Sequence, residues 1–154
     1  MLSPRLHCCN SVFFGLQSDE IARLRIVQHS AARLVMRKRK YDHVTPMLKH
    51  LHWLPITYRC QYKIATLVYR YFDGTLPPYL SKELSVYQAP RTLRSSNERL
   101  LRRPRVNLKS AGERSFKFSA PTVWNDLPNE LRNSISLSAF KTGLKTFLFK
   151  QAFP

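Results

Sequence analysis

His50 and His52 stand one residue apart in KHLHWLPITYRCQYK, residues 49–63, with Trp53 beside them and Cys60 further on. Imidazole nitrogens and thiolates are preferred zinc ligands. Rings interleaved with cations are also what a surface needs to stack nucleic-acid bases. The same residue types furnish an ordinary packed junction between two helices. Periodicity decides against the metal. On a helix, His50 and His52 fall about 200° apart, so one zinc ion cannot take both unless the segment is extended. No C-x-x-C or H-x-x-x-H pair occurs, and His7-Cys8-Cys9 has ligand types at a spacing that suits no common zinc site. The expectation is capping and packing histidines, a buried thiol at Cys60, no metal and no cofactor. Trp53, between Leu51 and Leu54, reads as core.

Other chemistry has little to stand on. The chain has no G-x-x-x-x-G-K-[ST] loop, no G-x-S-x-G elbow and no H-E-x-x-H helix. Its four glycines leave little material for phosphate-cradling loops. Asp19, Asp42, Asp73 and Asp126 are far apart, each near an expected helix end, and no Asp-Asp pair exists to hold two metal ions. A noncatalytic protein without a small-molecule substrate is expected.

Charge points elsewhere. The 154 residues suffice for one domain with a real core, and the hydrophobic fraction of 44% is not that of a disordered chain. Against 9 acidic residues stand 26 Lys and Arg, a net charge of +17. Such a chain suits a polyanion: nucleic acid first, an anionic membrane second. The cations spread over several elements rather than one strongly amphipathic helix, which speaks against a membrane surface. No segment approaches the ~20 apolar residues of a membrane span, and SVFFGL is too short for a secretory signal. Residues 1–17 hold only Arg5, unlike a mitochondrial presequence. Three cysteines, Cys8, Cys9 and Cys60, form no disulfide framework and suit reduced thiols. An intracellular location, nucleus or cytoplasm, is expected.

The elements that would carry the cations are mostly helical. Ser18, with Asp19 and Glu20, makes a good helix start. Ile21, Leu24, Val27, Gln28, Ala31, Leu34 and Val35 recur at helical spacing to about Met36, where Arg37, Lys38, Arg39 and Lys40 follow. Thr45-Pro46 reads as the cap and first-turn proline of a short helix carrying Met47, Leu48 and Leu51. Pro55 opens a third helix that runs to about Phe72 and stops at Gly74. PPYLSKEL is one more short helical piece. From Ser85 to Ala120 the helical period fades, and RLLRRPRVNL and ERSFKFSAP read as two short strands joined through KSAGE. PTVWNDLP is a proline-bounded helical turn, and a last helix spans about Ser136–Lys150 with Leu137, Phe140, Leu144, Phe147 and Leu148 on one face. The fold class expected is mainly α, a small helical domain with a short late β-hairpin-like element. Residues 1–84 form a helical region, 85–135 an Arg-rich segment with that hairpin and a short helix, and 136–154 the C-terminal helix, together one domain.

On the third helix, Ile56, Cys60, Ile64, Leu67 and Tyr71 make an apolar face. Arg59, Lys63 and Arg70 fall within about 40° of one another on a second stripe. Tyr58, Tyr62 and Tyr69 line up beside it. Cations tracking a backbone with rings for stacking fit single-stranded nucleic acid; half-buried rim tyrosines with hydroxyls in water fit equally well. The second basic zone runs from Arg91 to Lys117 and holds Arg91, Arg94, Arg99, Arg102, Arg103, Arg105, Lys109, Arg114 and Lys117 against only Glu98 and Glu113. As a strand it would put Arg99, Arg103 and Arg105 on one face and Arg102 on the other. The arginine fork suits phosphate, although a charge run is often only a solvated face. The candidate nucleic-acid residues are Arg91, Arg94, Arg102, Arg103, Arg105 and Lys109 of this zone, Arg37 to Lys40, and Arg59, Tyr62, Lys63 and Arg70.

RLHCCNSVFFGL, LRIVQHSAARLV, YDHVTPMLKHLHWLPITYRCQYKI, GTLPPYLSKEL, RTLRSSNERLL, RRPRVNLKSAGERSFKFSAPTVWNDLPNELR and SLSAFKTGLKTFLF follow one another in that order. This run resembles the extreme C-terminal region of reverse transcriptases encoded by non-LTR (LINE-type) retrotransposons, over about Arg5–Pro154. HWLPITYR with SAPTVWNDLP downstream is its most specific part. The resemblance implies a piece of an RNA-directed DNA polymerase lacking the endonuclease and the catalytic Asp-Asp box, with Met1 an internal or substituted methionine of a truncated copy. It implies a region that helps hold template RNA and target DNA, so RNA and single-stranded or duplex DNA, with little sequence specificity, are the expected partners. Two other readings remain: an inert relic of a degraded insertion, and a host-recruited protein-interaction module.

Overall fold

The structure is a computed structural model, and it describes residues 14–88, 99–105 and 114–154. Asp19 and Glu20 occupy the first turn of α1 (Ser18–Val35), where they favour the positive end of the helix dipole. Gln17 is the cap, one residue before the expected Ser18. The helix ends at Met36–Lys38 in a Schellman turn: Lys38 N–H donates to the Arg33 carbonyl at 2.9 Å and Arg37 N–H to that of Leu34 at 3.2 Å. Arg37 therefore sits at φ 51°, a conformation that favours glycine.

The same turn closes the next two helices. α2 (Val44–His50) starts before the expected Thr45, capped by extended His43, and ends with His52 at φ 50° and Trp53 N–H bonded to the Leu48 carbonyl at 2.9 Å. α3 (Ile56–Phe72) starts directly after Pro55 and ends at Gly74, φ 71°. Here the residue in the left-handed position is the one that adopts it without strain.

α3 is the axis of the molecule. Ile64, Ala65, Val68 and Tyr69 are buried between α5 (Phe116–Asn125) and α7 (Leu137–Ala152). Phe140, Leu144 and Leu148 meet them from α7, on the stripe that the sequence marks. Trp124 of α5 stacks on Phe72 at 5.3 Å and leans on Phe140 at 5.7 Å. Burying one aliphatic side chain of this kind is worth about 1.5–3 kcal/mol. The short α4 (Pro78–Ser81) follows α3, and α6 (Asn129–Arg132) packs on α7. A second cluster, Ala32, Val44, Met47 and Leu48, joins α1 to α2 and takes in Trp53 and Phe153 at its edge.

The expected mainly helical fold is found, with two local corrections. Phe116–Phe118 belong to α5, not to a strand: Phe116, Ala120, Val123 and Leu127 recur at helical spacing and pack in the main core, a period that outweighs the F-K-F alternation. What β structure the described residues hold is one antiparallel bridge, Val86 with Leu101. On α1 the helix lies where the period puts it, but Val27, Leu34 and Val35 are exposed. Gln28, Ala31 and Ala32 are buried instead, because small side chains admit close approach and Gln28 finds a carbonyl inside. Among the described residues no helix is long and apolar enough to cross a membrane.

Candidate nucleic-acid groove

α3 carries Arg59, Lys63 and Arg70 on one side, as the helical period requires, with Thr66 and Leu67 between them. α7 supplies Lys141 and Lys145, four residues apart, and the 51–54 turn supplies His52 and Trp53. These residues and Tyr62 line one groove of about 520 Å³. Not one Asp or Glu lies among them. Arg59/Lys63 and Lys141/Lys145 are like charges at i, i+4, a spacing that repels. The five cations thus lower their energy when an anion enters.

The floor is fixed by backbone. Arg59 Nε donates to the Leu54 carbonyl at 3.0 Å, and its guanidinium lies 5.7 Å over the Trp53 ring. The same carbonyl accepts Gln28 Nε2 at 2.8 Å, so α1, the 51–54 turn and α3 meet at one oxygen. Burial lowers the Arg59 pKa from its usual value, yet guanidinium stays protonated in proteins. Burial likewise raises that of the Tyr62 phenol. It drives the Cys60 thiol up to about 11, which leaves Cys60 a small apolar core residue.

Arg59, Tyr62, Lys63 and Arg70 are brought together as the helical wheel implies. The tyrosine line is not. Tyr69 is 3% exposed, stacks on Phe140 at 4.6 Å and donates its hydroxyl to the Ser134 carbonyl at 2.9 Å. Tyr58, half-buried, donates to the Gln151 carbonyl at 3.3 Å. Only Tyr62 of the three borders the groove. Trp53 is half core and half wall, packed on the α1–α2 cluster while edging the groove.

Arg37, Lys38, Arg39 and Lys40 are exposed at the end of α1, away from the groove. The Arg39 N–H donates to Asp42 Oδ2 at 2.9 Å, and Lys40 lies 6.0 Å from the Tyr41 ring. Arg102, Arg103 and Arg105 border a second groove of about 900 Å³ with Lys117. They do so together, against the strand alternation that sets Arg102 apart, because the segment is held extended only around its single bridge. Arg103 is paired with Asp126 at 2.8 Å. Arg91, Arg94 and Lys109, with the HCC triplet, lie outside the described residues.

His50 and His52 face apart. His50 borders a depression between α1 and α2 with Lys38 and Asp42; His52 borders the main groove, its ring 5.7 Å from that of Phe149. Among the described residues no three His, Cys, Asp or Glu side chains gather as a metal site would need. Sequence reasoning missed Lys141 and Lys145. Their signal was available: two lysines at i, i+4 flanking the apolar stripe of the last helix. No family model matches the chain, and no curated protein or solved structure does.

Proposed function

We propose that the protein is a noncatalytic, nucleic-acid-binding C-terminal fragment of a LINE-type reverse transcriptase. The ordered motifs from RLHCC to SLSAFKTGLKTFLF support the origin. The observation that carries the binding role is the acid-free groove of Arg59, Lys63, Arg70, Lys141 and Lys145, walled by Tyr62 and Trp53. Phosphates take the cations, and an unstacked base takes a ring. Contacts of this kind read backbone and ring faces rather than base edges, so the binding is indifferent to sequence.

The test is retention of single-stranded RNA and DNA over a salt series. Affinity should fall with a log–log slope of roughly −0.7 per phosphate neutralised. Replacing Lys63, Arg70, Lys141 and Lys145 together with Gln should flatten that slope while the far-UV circular dichroism stays unchanged. A flat response in the unaltered chain, or no retention at low salt, sinks the reading. Primer extension on an RNA template should stay at background with Mg²⁺ and with Mn²⁺, as the matched motifs hold no catalytic carboxylate pair. A second reading, a protein-interaction module, draws on exposed Ile26, Val27 and Leu34 along α1. A partner captured through that face and unaffected by nuclease would favour it.

A further inference from the structure

The two basic grooves share no residue, and the second takes none of its lining from α3. Phe72 is about 160° around that helix from the Arg59–Lys63–Arg70 stripe by the helical period. Its ring stacks on Trp124 at 5.3 Å and lies 6.0 Å beneath the Arg99 guanidinium, at the start of the segment that carries the second groove. Trp124 is fully buried, and Leu101, 1% exposed, borders the second groove. The two grooves are thus separate linings, tied to different elements: α3 and α7 for the first, residues 83–87 and 100–105 with Lys117 and Asn125 for the second.

The second groove is built rather than merely charged. The Asn125 side chain holds both backbone groups of Leu101, and Ser85 and Tyr87 hold the flanking residues through Arg102 N–H at 2.8 Å and the Leu100 carbonyl at 2.9 Å. Arg102, Arg105 and Lys117 border the cleft opened on this platform, with Tyr87 as its ring and Glu83 as the lone acid among its lining residues. Cations around a ring repeat the chemistry of the first groove.

Building on the nucleic-acid reading above, we infer that one chain holds two single strands at once, one in each groove, and thereby accelerates the pairing of complementary strands. Two free strands repel through their phosphates. Held on one basic body, their repulsion is screened and their encounter becomes effectively intramolecular. No bond is made or broken.

The experiment follows annealing of two fluorescently labelled complementary DNA oligonucleotides by energy transfer, alongside the number of single strands bound per chain. Three variants each lose three cations. Lys63→Gln/Lys141→Gln/Lys145→Gln alters the first groove and Arg102→Gln/Arg105→Gln/Lys117→Gln the second. Arg23→Gln/Arg25→Gln/Lys82→Gln makes the same change at exposed positions outside both. The unaltered chain and the last variant should bind two strands and speed annealing alike. Either groove variant should bind one strand and lose about tenfold of the acceleration. Circular dichroism monitors folding, and single Lys63→Gln and Arg105→Gln changes repeat the comparison should a triple variant unfold. Saturation at one strand per chain, or an equal loss in all three variants, overturns the inference while leaving single-strand binding intact. A chain that retains no RNA or DNA overturns the proposed function itself.

Discussion

The side-chain amide of Asn125 grips both backbone groups of Leu101, donating from Nδ2 to the carbonyl at 2.8 Å and accepting the N–H on Oδ1 at 3.0 Å. A helix-end side chain thus takes the part of a neighbouring strand. Leu101, 1% exposed, is pinned between α5 on one side and residues 85–87 on the other. The Arg99 carbonyl is fixed in the same way by Trp124 Nε1 at 2.6 Å.

Asn125→Ala should cost about 1–3 kcal/mol, because two part-buried backbone groups lose their partners. Asn125→Asp should also fail, since a carboxylate accepts from the N–H but cannot donate to the carbonyl. Urea unfolding measures both. A loss below about 0.5 kcal/mol, within the usual scatter of a surface change, would mean that Leu101 burial and the bonds from Ser85, Tyr87 and Trp124 hold the strap without Asn125.

Arg37 and His52 sit in left-handed backbone at the ends of α1 and α2. That conformation strains a residue with a Cβ by roughly 1–2 kcal/mol, and glycine's greater unfolded entropy returns part of the difference. Arg37→Gly should therefore stabilise by up to about 1 kcal/mol. His52→Gly should gain less, because the ring contact with Phe149 is lost as well. Thermal and urea melts compare them. A destabilised Arg37→Gly would show that the exposed guanidinium matters to the fold.

Tyr62→Ala should weaken single-stranded RNA by about 1–3 kcal/mol if a base stacks on the ring. Duplex of equal charge should be bound nearly as before, since its bases are already stacked. Paired titrations at one salt concentration decide it. Equal losses on both return Tyr62 to a packing role.

His29 is held below its usual value of 6.5, chiefly by burial and then by Arg33 and Arg25. The unfolded chain takes up the proton first as pH falls. Stability contributed by neutral His29 is present above about pH 6.5 and is lost as pH drops toward the lower folded value. His29→Gln should flatten this part of the stability–pH curve, read as the difference in urea midpoint between the two proteins. An unchanged difference, or a His29 NMR titration above 6.5, would sink the assignment.

The helices were legible because their signals are local. Asp19-Glu20, Pro55, Gly74 and the Phe140–Leu144–Leu148 stripe each specify a boundary or a face within one turn or two. The α3 stripe was legible for the same reason. Which neighbour would complete it was not: Lys141 and Lys145 are more than seventy residues from Lys63 in sequence, and tertiary packing alone brings them to one groove. Tyr69 misled because a helical wheel gives direction without saying what lies there, and Phe140 with the Ser134 carbonyl occupies that side. The late β element misled because F-K-F alternates over too few residues to compete with a ten-residue helix that ends at Asn125.

A groove that gathers five cations without a counter-charge gives salt two opposite jobs. Mobile anions shield the cations from one another, so added salt should raise the unfolding temperature of the empty protein. The same ions compete for the groove, so added salt should loosen a bound strand. Melts recorded with and without a bound oligonucleotide should then converge as salt rises, one curve climbing while the other falls. The ionic strength at which they meet marks where the strand ceases to be the better counter-ion.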